Sequence, residues 1–267
     1  MPTLKKPNFR LVKYAIIDAA TNMAMDEAIL EAHLNSLVPP TLRLYQFSPP
    51  AVSLGYAQNI DDNIKNKILS AGIDVVRRPT GGRAVLHLGD LTYAFICSSK
   101  GASVEEYILV DESIATAYQQ ICQALILFLD TFGINVTFGY SQNSYKEKND
   151  CFSATTIGDL QYKDNKLIGS AQLRRKHAVL QHGSIILKQP QTSMHELFDE
   201  NIPDNFKRHA NFYEITKYEH SITELEKELV KAFQKTFNCR FLPQELTTYE
   251  QKLANKLKSK YQSLVRN

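Results

Sequence analysis

The sequence predicts an α+β protein in which mixed, largely antiparallel sheets are flanked by helices. Segments with strand-like patterns follow one another directly, as in residues 74–99, instead of alternating strictly with helices. Helical periodicity is clearest in two separate stretches, 221–237 and 249–265. Neither G-x-G-x-x-G after a strand nor G-x-x-x-x-G-K-[ST] occurs, so the usual dinucleotide and P-loop sites are not supported.

The first half of the chain contains most of the predicted strands. Residues 9–17 alternate and are partly β-branched, which predicts a strand, and Asp18 is a candidate N-cap for a helix over 18–35. Gly72 is expected to end an amphipathic helix over 59–72. The other predicted strands of this half are 41–47, 51–57, 74–80, 83–87 and 90–99.

The second half of the chain is predicted to be richer in helix. Residues 103–132 are expected to be largely helical because apolar residues, including Ile108 and Leu109, recur at helical spacing. Residues 157–176 predict a hairpin that turns at Asp164–Asn165. The remaining predictions are strands over 134–139 and 178–187, a polar loop over 141–150, and helix from about 190 to the end.

Composition indicates one globular domain over residues 1–267, with a mainly helical C-terminal part from about 190. The net charge of +3 is too small to indicate a nucleic-acid partner. The longest wholly apolar run, 124–129, is far shorter than a membrane span. The N-terminus lacks the pattern of a signal peptide, and the four cysteines have no metal-binding spacing. We therefore expect a cytoplasmic protein with reduced thiols and no bound metal.

Residues 77–87, RRPTGGRAVLH, combine charge with backbone freedom. Gly81 and Gly82 suit a hairpin turn and also suit the close approach of a ligand to the backbone. The three arginines exceed what a hairpin end requires, which favours a ligand site. His87, in phase with Val85 on the predicted strand, is interpreted either as a buried core residue or as a functional group.

A second group of candidates follows the polar loop. A cysteine is commonly a buried small hydrophobe, but Cys151 follows a lysine-containing loop, and such an electropositive setting favours an available thiolate. Lys166 is interpreted either as a solvated lysine or as a partner of that thiolate. The small residues 169–171, and Gly183 beside His182 in an apolar strand, indicate close approach by a ligand or by another backbone.

Three segments, RRPTGGRAVLHLGDLTYAF, KLIGSAQLRR and LQHGSIIL, resemble signature segments of the lipoate–protein ligase/octanoyltransferase/biotin ligase superfamily. NMAMDEAIL resembles a helix of the same superfamily. The resemblance implies its catalytic-domain fold and an acyl-binding tunnel, in which the glycines of RRPTGGRAVLH line the ligand and its basic residues face the polar end. DCFSAT, with Cys151 upstream of Lys166, is similar to the cysteine-dependent octanoyltransferase branch. Thr155 and Thr156 depart from that branch, where a proline is expected.

In that branch, octanoyl passes from octanoyl-acyl carrier protein through a cysteine to a lysine of a lipoyl domain, such as the glycine cleavage H protein or an E2 subunit. The resemblance thus implies Cys151 as the acyl-carrying nucleophile and Lys166 as its activating partner, without a cofactor. It also makes the basic clusters at 77–78 and 174–176 candidate docking surfaces for acidic partners, as opposed to solvated strand ends. The residues implied in substrate binding are Arg78, Thr80, Gly81, Gly82, Arg83, Ala84, His87, Gly169, Ser170, Ala171, His182 and Gly183.

Other functions remain open on the same resemblance. An ATP-dependent lipoate–protein ligase would use Lys166 with an acyl-adenylate, and Cys151 would be incidental. An amidotransferase would move octanoyl from one lipoyl domain to another through the same cysteine. A catalytically silent acyl-binding module is a further alternative. Large lipoate ligases usually carry an accessory domain, and its absence from these 267 residues favours a transferase.

Overall fold

The structure is a computed structural model, and it describes residues 6–139, 159–198 and 209–266. Two sheets and seven helices make up this part of the chain. The strands are β1 (Asn8–Ile17), β2 (Thr41–Phe47), β3 (Ala51–Leu54), β4 (Asp74–Arg77), β5 (Val85–His87), β6 (Asp90–Ser98), β7 (Thr137–Phe138), β8 (Leu160–Tyr162), β9 (Asn165–Arg175), β10 (Ala178–Ile186) and β11 (Arg240–Pro243). The helices are α1 (Ala19–Leu34), α2 (Asp62–Ser70), α3 (Ile114–Asp130), α4 (Met194–Leu197), α5 (Phe212–Thr216), α6 (Ile222–Thr236) and α7 (Thr248–Arg266).

The large sheet has eight strands in the order β11-β1-β2-β6-β10-β9-β8-β7. Strand β1 pairs in parallel with β11 and with β2, and the other neighbours in this sheet are antiparallel. The small sheet has the order β4-β3-β5, with β4 parallel and β5 antiparallel to β3. The predicted α+β class with mixed, largely antiparallel sheets is therefore confirmed.

Helices cover both faces of the large sheet, which explains why β6 and β10 are buried along their whole length. On one face, Ile121 and Phe128 of α3 and Leu229 of α6 join the core. On the other face, α1 packs against the sheet and carries α7 on its outer side, where Tyr261 is buried. The small sheet has its own core, which it shares with α2 and α4. No helix of the described residues is both long and apolar enough to cross a membrane.

The helix predicted over 18–35 is confirmed as α1, and its N-cap is the predicted one. Thr21 donates its backbone N–H to Asp18 Oδ1 at 2.9 Å, which satisfies one of the free donors of the first turn. Gly72 follows the end of α2 with a left-handed φ of +73°, as a C′ glycine does.

Helix α3 is shorter than predicted, because it begins only at Ile114, where the Ser113 side chain caps it. The prediction was wrong for Ile108 and Leu109. Ile108 forms a parallel bridge with Ser98 at the end of β6, and the Leu109 N–H donates to the Ser98 carbonyl oxygen at 2.9 Å. The apolar residues of this stretch thus pack against the sheet from an irregular segment.

Residues 141–150, predicted to be a loop, lie outside the described residues.

The hairpin between β8 and β9 turns one residue earlier than predicted. Its central residues are Lys163 and Asp164, with φ values of +47° and +64°, and Asn165 is already paired with Tyr162. Positive φ at both central positions is the pattern of a two-residue type I′ turn. Asn165 closes the turn by donating from Nδ2 to the Lys163 carbonyl oxygen at 2.9 Å.

The prediction of helix throughout the C-terminal part was incomplete, because it missed β11. This short strand extends the large sheet beside β1, with Asn8 opposite Arg240 and Leu11 opposite Pro243. A four-residue strand that ends in proline carries little periodicity of its own and is at home at a sheet edge. The position of β11 is therefore determined by its pairing with β1.

A buried ion pair fixes the C-terminal helix to the first strand. Arg10 donates from Nη1 to Glu250 Oε2 at 2.8 Å and from Nη2 to Oε1 at 2.5 Å, and both side chains are at most 1% exposed. Glu250 also accepts from the backbone N–H of Thr247 at 2.7 Å, in the turn that leads into α7. This pair therefore connects strand register to helix docking.

We expect Glu250→Ala to lower the free energy of unfolding by about 3–5 kcal/mol, because it leaves a buried guanidinium without its partner. Urea denaturation followed by circular dichroism measures this loss. Glu245→Ala, at an exposed position of the same segment, is the matched control and should change stability by less than about 0.5 kcal/mol. Equal losses in the two variants would contradict the assignment.

Candidate active site

A small, partly open cavity lies where the small sheet meets the large sheet. Its wall combines strands from both sheets with helix α1. The lining residues are Met23, Tyr45, Phe47, Ser53, Arg78, Val85, His87, Thr92, Gly169, Ser170, Ala171, His182, Gly183 and Ser184.

The wall is apolar on the side of Met23, Phe47 and Val85, and serine and threonine hydroxyls are set among its polar part. The rings of Phe47 and His87 stack with their centroids 4.0 Å apart. Because large apolar side chains meet a few fixed polar groups, the cavity suits a ligand with an apolar chain and one polar end.

Arg78 is buried at this cavity, and its guanidinium is directed at protein acceptors. Nη1 donates to the Ser53 carbonyl oxygen at 2.7 Å and to Ser53 Oγ at 3.3 Å. Nη2 donates to the carbonyl oxygens of Gly81 and Arg83, each at 2.7 Å, and Nε donates to Thr80 Oγ1 at 3.1 Å. An arginine has five N–H donors, and these contacts use all five. Arg78 therefore shapes the loop, and its implied role at the polar end of a ligand stays a prediction.

One side of the cavity carries a serine–histidine–aspartate arrangement. Ser53 Oγ lies 2.8 Å from His87 Nε2, and His87 Nδ1 lies 2.8 Å from Asp90 Oδ2. The same carboxylate oxygen accepts from Ser184 Oγ at 2.6 Å and from Thr92 Oγ1 at 3.2 Å. An ionised carboxylate only accepts hydrogen bonds, so in the neutral imidazole the proton resides on Nδ1, and Ser53 donates to Nε2.

A second hydroxyl–histidine–aspartate arrangement lies on the other side of Arg78. His182 Nε2 is 2.7 Å from Thr80 Oγ1, and its Nδ1 is 3.2 Å from Asp26 Oδ2. Burial lowers the pKa of His182 despite the nearby carboxylate, which keeps the ring neutral near pH 7. Burial opposes ionisation of Asp26, but the charge of Arg43 and the hydrogen bonds to its carboxylate hold the pKa of Asp26 below its usual value. The result is a rigid polar wall.

Gly183 lets β9 and β10 approach each other at the cavity. A Cβ built on Gly183 would lie 2.5 Å from Ser170 Oγ, 2.7 Å from the Gly169 carbonyl oxygen and 2.7 Å from Tyr93 Cε1. Ser170 Oγ in turn lies 2.8 Å from the Tyr93 hydroxyl. The glycine that interrupts the apolar strand therefore makes room for a neighbouring strand and an aromatic ring in the wall of the cavity.

Lys166 is fully buried on β9 and is paired with a carboxylate. Its Nζ lies 2.9 Å from Asp159 Oδ1, and both side chains are about 1% exposed. A buried ammonium without a partner would be very costly, so this pairing fixes the cation in one place. Lys166 is thus not a solvated lysine, which was the first of the two interpretations of the sequence. Lys166 does not belong to the cavity wall, to which β9 contributes Gly169, Ser170 and Ala171.

The implied substrate-binding residues divide into two groups. Those in the cavity wall are Arg78, His87, Gly169, Ser170, Ala171, His182 and Gly183. Those outside it are Thr80, Gly81, Gly82, Arg83 and Ala84, of which the two glycines are exposed and Ala84 packs in the core of the small sheet.

Gly55 and Gly82 allow two backbone segments to approach each other closely. Gly82 has a left-handed φ of +93°, and a Cβ on Gly55 would lie 1.7 Å from its carbonyl oxygen. Among the described contacts, the loop of Gly81 and Gly82 is thus packed against Gly55. The implied role of Gly81 and Gly82 in lining a ligand stays a prediction.

The interpretation of the sequence missed several residues of the site. Met23, Tyr45 and Phe47 line the cavity, and Asp26 and Asp90 orient its two histidines. Tyr45 and Phe47 share a face of β2 by alternation, so a strand pattern alone could have grouped them. Asp26 meets His182 only through the fold, since they are 156 residues apart, whereas Asp90 follows His87 by three residues, a local spacing that could have been noticed.

The cysteines inside the described residues are not suited to nucleophilic chemistry. Cys97, Cys122 and Cys239 are buried free thiols. Burial raises the pKa of Cys122 and of Cys239 to about 12, and it raises the pKa of Cys97 as well. Thiolate is the nucleophilic form of cysteine, so these three groups are inert near pH 7. Cys151 lies outside the described residues.

The basic clusters are largely engaged within the fold. Arg77 donates from Nη1 to the carbonyl oxygens of Gly55 and Gln58. Arg174 donates to the Glu112 carbonyl oxygen at 2.6 Å, and Arg175 forms an ion pair with Glu27 at 2.5 Å. These contacts hold local structure together, so they do not favour a role for the basic clusters as docking surfaces for acidic partners. No group of metal-ligating side chains occurs among the described residues.

Together, the mixed sheets and the helices around them have the architecture of a lipoate-protein ligase catalytic domain. The chain belongs to the lipoyl protein ligase A/B catalytic domain family, whose model matches residues 18–234. It is 34% identical over 267 residues to Octanoyltransferase LipM of Clostridioides difficile (strain 630), covering 96% of each chain. It is 33% identical over 281 residues to Octanoyltransferase LipM of Anoxybacillus flavithermus, covering 97% of this chain and 98% of the relative. The chain is accordingly an acyltransferase enzyme.

Solved structures agree with this family. A crystal structure of lipoate-protein ligase A bound with ATP matches with a TM-score of 0.73 and 27% identity, covering 95% of both chains. Protein Ta0514 of T. acidophilum, a putative lipoate protein ligase with bound lipoic acid, matches with a TM-score of 0.72 and 24% identity over 95% of both chains. The second likeness concerns the fold alone.

We expect Gly183→Ala to separate β9 from β10, because its Cβ would overlap Ser170 and Gly169. The free energy of unfolding should fall by about 1–3 kcal/mol, the usual cost of overpacking. The matched control is Gly81→Ala, where no atom lies within 4 Å of the new Cβ and φ is not left-handed. Urea denaturation of both variants tests this. A Gly183→Ala variant as stable as wild type would contradict the close approach.

Proposed function

We propose that the protein is an octanoyltransferase of lipoate biosynthesis, which moves octanoyl from acyl carrier protein to a lysine of a lipoyl domain. The observation that carries this proposal is the similarity to relatives named octanoyltransferase along nearly the whole chain. Its acceptors are lipoyl-domain proteins such as the glycine cleavage H protein or E2 subunits. The enzyme acts in the cytoplasm, as one catalytic domain over residues 1–267, without nucleic acid or membrane.

An acyl chain of this length gains binding free energy when it is buried. At roughly 0.8 kcal/mol per buried methylene, the six internal methylenes of an octanoyl chain contribute about 5 kcal/mol. Phe47 and Val85 supply apolar surface for such a chain, and His87 and Ser53 form part of the polar wall. One methylene more or less changes binding only modestly, so the preference for eight carbons is graded.

The first half of the reaction needs a thiolate, and we assign it to Cys151. The thiolate attacks the thioester carbonyl carbon, the bond from that carbon to the donor sulfur breaks, and the donor leaves as a thiol after taking up a proton. One thioester replaces another, so this exchange is nearly isoenergetic and needs no nucleotide. The burial of Cys97, Cys122 and Cys239 supports the assignment, because it removes the other thiols from contention.

In the second half of the reaction, the acceptor lysine attacks the acyl group on Cys151. The amine nitrogen forms the amide bond, the carbon–sulfur bond breaks, and the proton lost by nitrogen balances the negative charge left on sulfur. The Lys166 ammonium, held by Asp159 2.9 Å away, stabilises the negative charge that develops on thiolate or oxyanion. A thioester is less stable than an amide, so this step drives the transfer.

An ATP-dependent lipoate–protein ligase is the second candidate, favoured by the 27% identity to lipoate-protein ligase A bound with ATP. Such a ligase would form an acyl-adenylate from free octanoate, and Lys166 would contact it without any role for Cys151. An amidotransferase between lipoyl domains is the third candidate. It shares the cysteine chemistry and differs only in its donor.

We expect the wild-type protein to gain, from octanoyl-acyl carrier protein without ATP, an octanoyl group that neutral hydroxylamine removes, and Cys151→Ala to gain no such hydroxylamine-labile group. Intact-protein mass spectrometry detects the adduct, which neutral hydroxylamine should remove because it is a thioester. Cys239→Ala removes a buried thiol and serves as the control that keeps the adduct. Transfer from an octanoylated lipoyl domain in place of acyl carrier protein would identify an amidotransferase.

The ligase is distinguished in the same experiment. If wild type forms no adduct with either thioester or amide donor, and a lipoyl domain is modified only after ATP and free octanoate are added, the transferase proposal is wrong. Full activity of Cys151→Ala with octanoyl-acyl carrier protein would also exclude the covalent mechanism.

A further inference from the structure

Ser53, His87 and Asp90 have the geometry of an activated nucleophile. The nucleophile–base and base–carboxylate distances are both 2.8 Å, within the range of 2.6–3.2 Å expected for such groups. Asp90 fixes the tautomer of His87, so that Nε2 is free of a proton and accepts from the Ser53 hydroxyl. Ser53 and His87 both line the cavity, so the arrangement faces the space that the acyl chain would occupy.

A comparison with another serine–histidine pair shows what is particular to Ser53. Ser98 Oγ lies 2.8 Å from His33 Nε2, but Nδ1 of His33 lies 3.1 Å from the Val38 carbonyl oxygen, not from a carboxylate. Burial lowers the pKa of His33 to about 4, and neither residue belongs to the cavity wall. The Ser98 pair therefore joins α1 to β6, whereas the Ser53 pair has an orienting carboxylate and a cavity in front of it.

The Thr80–His182–Asp26 arrangement differs as well. Thr80 is fully buried and is absent from the cavity wall. Asp26 is ion-paired with Arg43, at 2.6 Å, and accepts from the Tyr45 hydroxyl, at 2.7 Å, whereas Asp90 accepts from the neutral hydroxyls of Thr92 and Ser184. Of these hydroxyl–histidine pairs, the one at Ser53 is thus the pair whose hydroxyl residue and histidine both line the cavity.

Arg78 adds positive charge at the nucleophile. Its Nη1 lies 3.3 Å from Ser53 Oγ and donates to the oxygen that would carry the forming bond. A fixed cation beside a buried oxygen favours negative charge there, and it does so most strongly where water is excluded. The His87 acceptor, the Arg78 N–H donor and the positive charge of Arg78 therefore all favour attack by Ser53 Oγ on an electrophilic acyl carbon.

We propose that Ser53 is a second nucleophile, which takes medium-chain acyl groups from thioesters or activated esters and releases them to water. This hydrolytic activity goes beyond the proposed transferase function and does not need Cys151. Its substrate class is a straight apolar acyl chain of about eight carbons, because the same cavity holds the chain.

The reaction balances with water as the second substrate. Ser53 Oγ attacks the acyl carbon, His87 Nε2 takes the hydroxyl proton and passes it to the leaving thiol or alcohol, and an ester on Ser53 results. Water then attacks the ester, His87 returns a proton to Ser53 Oγ, and the carboxylic acid leaves. No oxidant, nucleotide or metal takes part in either step.

The test uses p-nitrophenyl octanoate with the full-length Cys151→Ala protein, so that acylation of Cys151 cannot contribute. We expect release of p-nitrophenolate together with an octanoyl adduct that peptide mapping places on Ser53. Neutral hydroxylamine should leave this oxygen ester intact. In Cys151→Ala/Ser53→Ala, release should fall by about a hundredfold, while Cys151→Ala/Ser98→Ala, the matched control, should behave like the parent.

If Ser53→Ala folds poorly, the substitution Ser53→Cys still tests the proposal. Cys151→Ala/Ser53→Cys should form an adduct at the same position that neutral hydroxylamine now removes, because the ester has become a thioester. Release unaffected by Ser53→Ala, or an adduct found only on other residues, would overturn the proposal. Either result leaves the Cys151 experiment untouched, so the two proposals fail independently.

Discussion

The site depends on the way the guanidinium of Arg78 is buried at the junction of the two sheets. Its five donors hold the carbonyl oxygens of Ser53, Gly81 and Arg83 and the hydroxyls of Ser53 and Thr80. A buried arginine is stable only when its donors are satisfied. The loop after β4 must therefore fold back over β3, and this fold gives the cavity one of its walls.

The same contacts explain how polar chemistry is placed in an otherwise apolar cavity. Each hydroxyl bound to Arg78 meets a histidine, and each histidine meets an aspartate. Networks whose members are all satisfied are rigid, and they cost little once formed. The polar wall is thus fixed beside the apolar side chains of Phe47 and Val85. Lys166 of β9 and Asp159, which directly precedes β8, follow the same rule as a buried ion pair.

Local signals in the sequence were sufficient for the fold class, for α1 with its Asp18 cap, and for most strands. They failed where distant segments decide the outcome: β11 exists because β1 offers it an edge, and Ile108 leaves the predicted helix because Ser98 pairs with it. At the site, the motif indicated Arg78, His87 and His182. Asp26 and Gly55 could not be found this way, since their partners are contributed by distant elements of the fold, whereas Asp90 lies three residues from His87 and could have been found from that spacing.

A crystal structure of the protein with octanoate bound tests the central claim most directly, namely that the two sheets enclose an acyl site whose polar wall is already satisfied. The alkyl chain is expected between Phe47, Val85 and Ala171, with the hydrogen bonds of Arg78 to Ser53 and Thr80 unchanged. A chain bound outside this cavity, or an Arg78 guanidinium that leaves the loop to bind the octanoate carboxylate, would contradict the account.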